Sequence, residues 1–140
     1  MAIEGGCYCG ALRYRYTGEP AFRGQCHCRE CQYISGGSPN MVMGVMADGF
    51  SYTAGTPAEF TRTDLETPVT REFCGTCGTH ILARAEGMPG MRMLKVGTLD
   101  DPTVFGKSEM AIFGIDRQPF HQVPEGIPLF ERGPGSPTIT

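Results

Sequence analysis

The amino-acid sequence predicts an all-β fold, and three observations carry that expectation. First, 20 glycines and 11 prolines in 140 residues interrupt the chain too often for long helices and suit short strands joined by turns. Second, short runs rich in β-branched, aromatic and alternating apolar residues recur between those turns. Third, the seven cysteines fall into three tight clusters, a distribution suited to metal ions that staple a small domain. A composition of 40% hydrophobic and 19% charged residues excludes wholesale disorder. At this length one domain is expected, and its core can form without disulfides.

The elements follow in chain order. Leu12-Arg13-Tyr14-Arg15-Tyr16 alternates apolar and basic side chains and predicts a half-buried strand whose arginines face solvent. Arg29 to Ile34 is the one stretch that predicts a helical turn or two. Strands are then expected over Met41–Ala47, Phe50–Thr53, Glu59–Thr63, Val69–Phe73, His80–Ala85, Met91–Val96 and Met110–Ile115. Their separators are turn-rich, as in Gly36-Gly37-Ser38-Pro39-Asn40 and Gly87-Met88-Pro89-Gly90. The end, Gly133-Pro134-Gly135-Ser136-Pro137-Thr138-Ile139-Thr140, reads as a flexible or loosely docked tail over 133–140.

Charge and hydropathy remove several function classes. The net charge of −3 and the lack of a basic stripe argue against nucleic-acid binding. No run approaches the 18 or so apolar residues of a membrane span. The start, Met1-Ala2-Ile3-Glu4-Gly5-Gly6, lacks the basic and apolar regions of a secretory signal, so a cytoplasmic location is expected. Gly-rich turns such as Ser35-Gly36-Gly37-Ser38 lack the lysine of a phosphate loop. The Met41/Met43 and Met91/Met93 pairs read as adaptable core packing rather than copper sites.

The cysteine clusters carry the chemistry. They are Cys7-Tyr8-Cys9-Gly10, Cys26-His27-Cys28-Arg29-Glu30-Cys31 and Cys74-Gly75-Thr76-Cys77-Gly78. An odd count and near-neighbour spacing are wrong for a disulfide framework, because bridges between near neighbours close strained loops. Cys7 and Cys9 share one side of an extended segment and can reach one ion together. Cys74-Gly75-Thr76-Cys77 followed by Gly78 has the form of a knuckle turn whose amides point at sulfur. A redox role for this Cys-x-x-Cys would require a helix in a βαβ setting, which the sequence lacks.

Two such cysteine pairs, 65 residues apart, make a plausible closed tetrahedral zinc site. Cys26, Cys28 and Cys31 would then hold a second zinc with one position left, and open positions mark catalytic zinc. Spacing alone leaves the pairing open, since Cys7 and Cys9 can equally join part of the second cluster. His27, His80, His121, a carboxylate, water or a substrate thiol can fill the fourth position. His27 itself should point away from the ligands if its segment is extended.

Taken together, these clusters resemble the glutathione-dependent formaldehyde-activating (GFA) enzymes and the centromere-protein-V-like proteins. The carriers are Gly5-Gly6-Cys7-Tyr8-Cys9-Gly10-Ala11-Leu12-Arg13-Tyr14, the Cys26–Cys31 cluster, Arg71-Glu72-Phe73-Cys74-Gly75-Thr76-Cys77-Gly78-Thr79, and Val96-Gly97-Thr98-Leu99-Asp100-Asp101-Pro102. Pro124-Glu125-Gly126-Ile127-Pro128-Leu129-Phe130 fits the family's ending. The resemblance implies a β-tent fold forming one domain over 1–132 and two zinc ions per chain. It implies a structural zinc on Cys7, Cys9, Cys74 and Cys77, and a catalytic zinc on Cys26, Cys28 and Cys31.

The implied activity is that of a carbon–sulfur lyase joining formaldehyde to glutathione as S-(hydroxymethyl)glutathione. A small-molecule thiol and an aldehyde would be its partners. A non-catalytic, zinc-stabilised protein-binding domain is the alternative, and an oxidation-sensitive thiol sensor is a third reading. Where relatives commonly carry a His-Ile pair and a Trp, this chain has Met110-Ala111-Ile112-Phe113 and no Trp, which implies a more apolar pocket. Arg29, Arg71 and Lys95 are candidates for holding glutathione's carboxylates, and His27, His80 and His121 for supplying a proton.

Overall fold

A computed structural model describes residues 2–140. Among the described residues, ten strands and one α-helix make the all-β character plain. In chain order the strands are β1 (Ala2–Gly6), β2 (Arg13–Thr17), β3 (Phe22–Cys26), β4 (Asn40–Met46), β5 (Phe50–Ala54), β6 (Ala58–Thr61), β7 (Val69–Phe73), β8 (His80–Ala85), β9 (Met91–Lys95) and β10 (Met110–Ile112). Helix α1 spans Arg29–Ser35, and short 3-10 turns fill several connections. Among the described residues, no helix is long and apolar enough to cross a membrane. The chain divides into two compact units, residues 2–21 with 43–104 and residues 22–42 with 105–140.

The first unit is built on antiparallel ladders. β2 pairs with β1 on one side and β5 on the other. The alternation expected at Leu12–Tyr16 is realised: Tyr14 and Tyr16 are buried while Arg15 faces solvent. Gly5 stands opposite Tyr14, and a Cβ there would overlap the tyrosine ring and the Thr98 carbonyl. The close approach lets the Tyr14 hydroxyl meet Thr98 Oγ1 at 2.8 Å. β6, β7, β8 and β9 form a second antiparallel ladder, with Ile81, Leu82 and Leu94 buried. Its register slips between Glu72 and Phe73, so Phe73 pairs with His80 rather than Ile81.

The second unit carries β3 beside β10, a parallel pair in which Cys26 stands opposite Ile112. Helix α1 starts at Cys28, whose sulfur accepts a hydrogen bond from the Cys31 amide at 3.3 Å. It stops at Gly36, whose φ of 78° is a left-handed cap that glycine adopts without strain. The strand expected over Met110–Ile115 ends early, at Ile112. Phe113 has a φ of 55° and turns the chain into a 3-10 turn over Gly114–Asp116. Near the end the chain doubles back, with Ile139 N donating to Leu129 O and Glu131 N to Pro137 O, both at 2.8 Å.

Candidate metal centre

In the first unit the structure brings Cys7, Cys9, Cys74 and Cys77 together, every sulfur within 4.8 Å of the others. Cys7 follows β1 and Cys74 follows β7, so the strands deliver both knuckles. Each knuckle closes on a glycine. Gly10 N donates to Cys7 O at 3.1 Å with φ 83°, and Gly78 N to Cys74 O at 2.8 Å with φ 80°. Backbone amides point at the sulfurs, Leu12 N at Cys7 (3.1 Å) and Thr76 N and Cys77 N at Cys74 (3.4 Å each). Such donors offset thiolate charge. Thr79 ties the knuckles together: its hydroxyl accepts from Tyr8 N at 3.1 Å and lies 3.1 Å from the Cys77 sulfur.

The distances fit a tetrahedral ion. Metal–sulfur bonds of about 2.3 Å place the corners of a tetrahedron about 3.8 Å apart. Cys7 and Cys9 are 3.6 Å apart, and Cys9 and Cys74 3.7 Å. The acidities are split accordingly. The Thr79 hydroxyl and amide pull the Cys77 thiol down to about 5. Cys9 also receives a lowering hydrogen bond from the Ala11 amide. The adjoining Cys7 thiol, burial and the Cys77 and Cys74 thiols nevertheless push it up to about 11. Four thiolates this close repel one another, and a divalent cation removes that conflict.

In the second unit Cys26, Cys28 and Cys31 converge within the same 4.8 Å limit, and no histidine or carboxylate completes the set among the described residues. Cys26 comes from the end of β3, Cys28 from the helix cap and Cys31 from the first turn of α1. Cys26 and Cys31 are buried and Cys28 half-buried, so the cluster opens on the Cys28 side. The Asn40 side-chain amide donates to the Cys31 sulfur at 3.4 Å. The neighbouring Cys28 and Cys31 thiols, then burial, push the Cys26 thiol far up. Cys28 gains a lowering hydrogen bond from Cys26, but Cys31 and burial leave it up at about 11.

His27 points away from this cluster. It is fully buried, and both ring nitrogens are engaged: Nε2 lies 3.0 Å from the Gln25 amide nitrogen and Nδ1 3.0 Å from His121 Nδ1. The tautomers follow from the surroundings. His121 Nε2 faces the Gly37 carbonyl at 2.7 Å and must carry hydrogen, while its Nδ1 accepts from Gln118 N at 3.0 Å. His27 therefore holds its proton on Nδ1 and accepts from Gln25 at Nε2. Gln25 in turn donates to Gln122 O at 3.0 Å and accepts from the Ser108 hydroxyl at 3.1 Å. Burial, then the neighbouring His121 ring and the Arg117 charge, hold His27 down to about 4, so it stays neutral.

The remaining candidates lie as follows. Arg29 stacks over the Tyr33 ring at 5.1 Å and bonds Gln32 Oε1. With Gln118 and Phe120 these residues line a groove of about 530 Å³ beside α1. Arg71, Lys95 and His80 belong to the first unit. Sequence reasoning did not find Asn40, Gln25, Ser108 or Thr79, which hold the cysteines or the histidine between them. Thr79 alone carried a signal, since it directly follows the Cys77-Gly78 knuckle.

The comparisons with known proteins agree with this layout. No curated protein matches the sequence. Among solved structures, a crystal structure of a Rhodobacter sphaeroides protein superimposes with a TM-score of 0.59 at 18% identity, covering 75% of this chain and 96% of the other. It shares the fold. The model of the glutathione-dependent formaldehyde-activating enzyme family matches residues 2–115, which takes in all three cysteine clusters. With that match over most of its length, the chain belongs to the glutathione-dependent formaldehyde-activating enzyme family.

Proposed function

We propose that the protein is a zinc-dependent carbon–sulfur lyase of the cytoplasm, joining formaldehyde to a glutathione-like thiol and reversing that addition. The observation that supports it is the contrast between the two thiol sets. Cys7, Cys9, Cys74 and Cys77 offer four donors and suit a closed structural ion, whereas Cys26, Cys28 and Cys31 offer three and open on the Cys28 side. Both nearby imidazoles are occupied elsewhere, so neither His27 nor His121 closes the second set.

Cys26, Cys28 and Cys31 would hold the zinc, which would supply a position favouring the deprotonated form of a thiol. The chain's own residues set the character of that position. Three thiolates outweigh the two charges of the ion, which keeps an incoming sulfur electron-rich and suits addition to a carbonyl better than water activation. Asn40 and the Cys31 amide hold the sulfurs in place. In the reaction the sulfur pair forms a bond to the aldehyde carbon. The carbonyl π pair moves to oxygen, and the proton lost by the thiol ends on that oxygen as a hydroxyl. Most of the gain comes from holding the two reactants together. The groove beside α1, with Arg29, Gln32 and Gln118, offers a cation and amides to a peptide-like thiol.

Metal analysis and exchange spectroscopy test this reading together. Two zinc ions per chain are expected, with faster exchange between formaldehyde, glutathione and their adduct in NMR. One zinc per chain, or no acceleration by the loaded protein, would leave a zinc-stabilised binding domain as the better description.

A further inference from the structure

The lining of the groove beside α1 narrows which thiol it suits. Among the described residues that line it, Arg29 is the one cation and no side chain is a carboxylate. Glutathione carries two carboxylates and an ammonium, so one carboxylate and the ammonium meet no opposite charge there. Two rings, Tyr33 and Phe120, line the same groove. Tyr33 is 79% exposed and Phe120 70%. Single exposed aromatics are ordinary, but two along one groove make a stacking surface for a flat apolar body.

The groups that would meet a ligand are held in place. Arg29 Cζ sits 5.1 Å over the Tyr33 ring. Phe120 meets the His121 ring at 5.0 Å and 84°, and His121 is itself fixed by the Gly37 carbonyl and the Gln118 backbone amide. Gln32 spends its side chain on the frame. Its Nε2 donates to His27 O at 2.8 Å and Asp116 O at 2.9 Å, and its Oε1 accepts from Arg29 Nη1 and from Gln118 Nε2. Arg29 Nε and Nη2 remain, side by side, as a fork for one carboxylate. A ligand bound here orders few side chains. His27 lies between Cys26 and Cys28, so Gln32 also ties the groove to the backbone of the open cluster.

We propose that this groove selects a thiol with a flat aromatic body and a single carboxylate in preference to glutathione. Arg29 grips the carboxylate, and Tyr33 and Phe120 take the ring. That the ligand is a thiol rests on the lyase reading; the affinity for an aromatic monocarboxylate does not.

The first arm of the test uses the zinc-loaded full chain without thiol or aldehyde. Hydrocinnamate, butyrate and S-methylglutathione are titrated at constant ionic strength. NMR follows the Arg29 Nε–H, the Gln118 side-chain amide and the Tyr33 and Phe120 rings. Saturable shifts are expected, with hydrocinnamate bound about tenfold more tightly than either other probe. Arg29→Gln should weaken hydrocinnamate about tenfold, and Phe120→Ala by a similar factor. Should Phe120→Ala fail to fold, Tyr33→Ala replaces it. Phe60→Ala, at an exposed ring of the other unit, should leave binding unchanged. Non-saturating shifts, equal affinities for hydrocinnamate and butyrate, S-methylglutathione as the tightest probe, or wild-type affinity in the folded variants overturn the proposal. The second arm follows exchange of formaldehyde with glutathione and with 2-benzyl-3-mercaptopropanoate, and the ring-bearing thiol should exchange faster. Acceleration of glutathione alone overturns the proposal and keeps the lyase reading. Hydrocinnamate binding without acceleration of either thiol overturns the lyase reading and upholds the aromatic carboxylate as the groove's ligand.

Discussion

His27 Nδ1 and His121 Nδ1 face each other across 3.0 Å and share a single proton, which sits on His27. The Gly37 carbonyl at the far end sets that direction, because it leaves His121 only its Nδ1 lone pair to offer. Residues on either side of His27 are thiols of the open cluster. The histidine pair therefore fixes the segment that presents Cys26 and Cys28.

His121→Leu should loosen that segment. Zinc at the three-thiol set is expected to become easier to remove, by up to about tenfold, because His121 reaches the ligands only through His27. The four-thiol set should keep its ion. Competition with a chelator reads both sites. In the wild type, nitrogen NMR should find hydrogen on Nδ1 of His27 and on Nε2 of His121, and the opposite assignment for His27 would sink this account.

Cys74→Ser and Cys28→Ser should separate the two clusters. Structural zinc contributes on the order of 10–16 kcal/mol in small peptides, comparable to or above the roughly 5–15 kcal/mol stability of a domain, so Cys74→Ser should not fold at ordinary zinc levels. Serine at position 28 still caps α1, since its oxygen accepts the amide that Cys28 sulfur accepts. Cys28→Ser should stay folded, hold one zinc and lose activity. Equal unfolding in circular dichroism would contradict the division of roles.

Asn40 supplies a neutral hydrogen bond to the Cys31 sulfur from a nearly buried position. Asn40→Ala should weaken metal at the open cluster by about tenfold. Asn40→Asp should weaken it more, because a carboxylate adds a like charge beside the thiolates. The order wild type, alanine, aspartate in zinc retention is the readout, and a reversed order for the two variants would falsify the charge argument.

Tyr14 gives the fold a limit at high pH. Burial pushes its hydroxyl up to about 12, only partly offset by the hydrogen bond to Thr98. The unfolded chain ionises near 10, so the fold loses stability as pH rises from about 10 to 12 and is unaffected by this group below that window. The loss is on the order of 2–3 kcal/mol. Denaturant midpoints at pH 8 and 11.5 should differ less for Tyr14→Phe than for the wild type.

Much of this was legible in the residues. β7 and β8 run over the residues their patterns predicted, and Leu12–Tyr16 exposed its arginines as the alternation required. Coordination number suggested a division of the seven cysteines into four and three, but which of them share a set came only from the family resemblance, since spacing left the pairing open. β1 and β3 escaped because Ala2–Gly6 and Phe22–Cys26 carry glycines where a side-chain alternation would otherwise show. β3 is a strand because β10 pairs with it, and such a partner leaves no local trace. The His27–His121 contact spans 94 positions, and nothing local in the sequence ties one histidine to the other. The bulge at Phe73 is likewise a property of two strands together.

The pairing of Cys26 with Ile112 also sets an order of events during synthesis. A ribosome adding about 5–20 residues per second needs roughly 5–20 s to travel from His27 to His121. Throughout that interval the three early thiols have neither their neighbouring strand nor their histidine clamp. The nascent chain thus meets its surroundings with these sulfurs unshielded, and the last third of the polypeptide must emerge before they can be kept from the wrong metal or an oxidant.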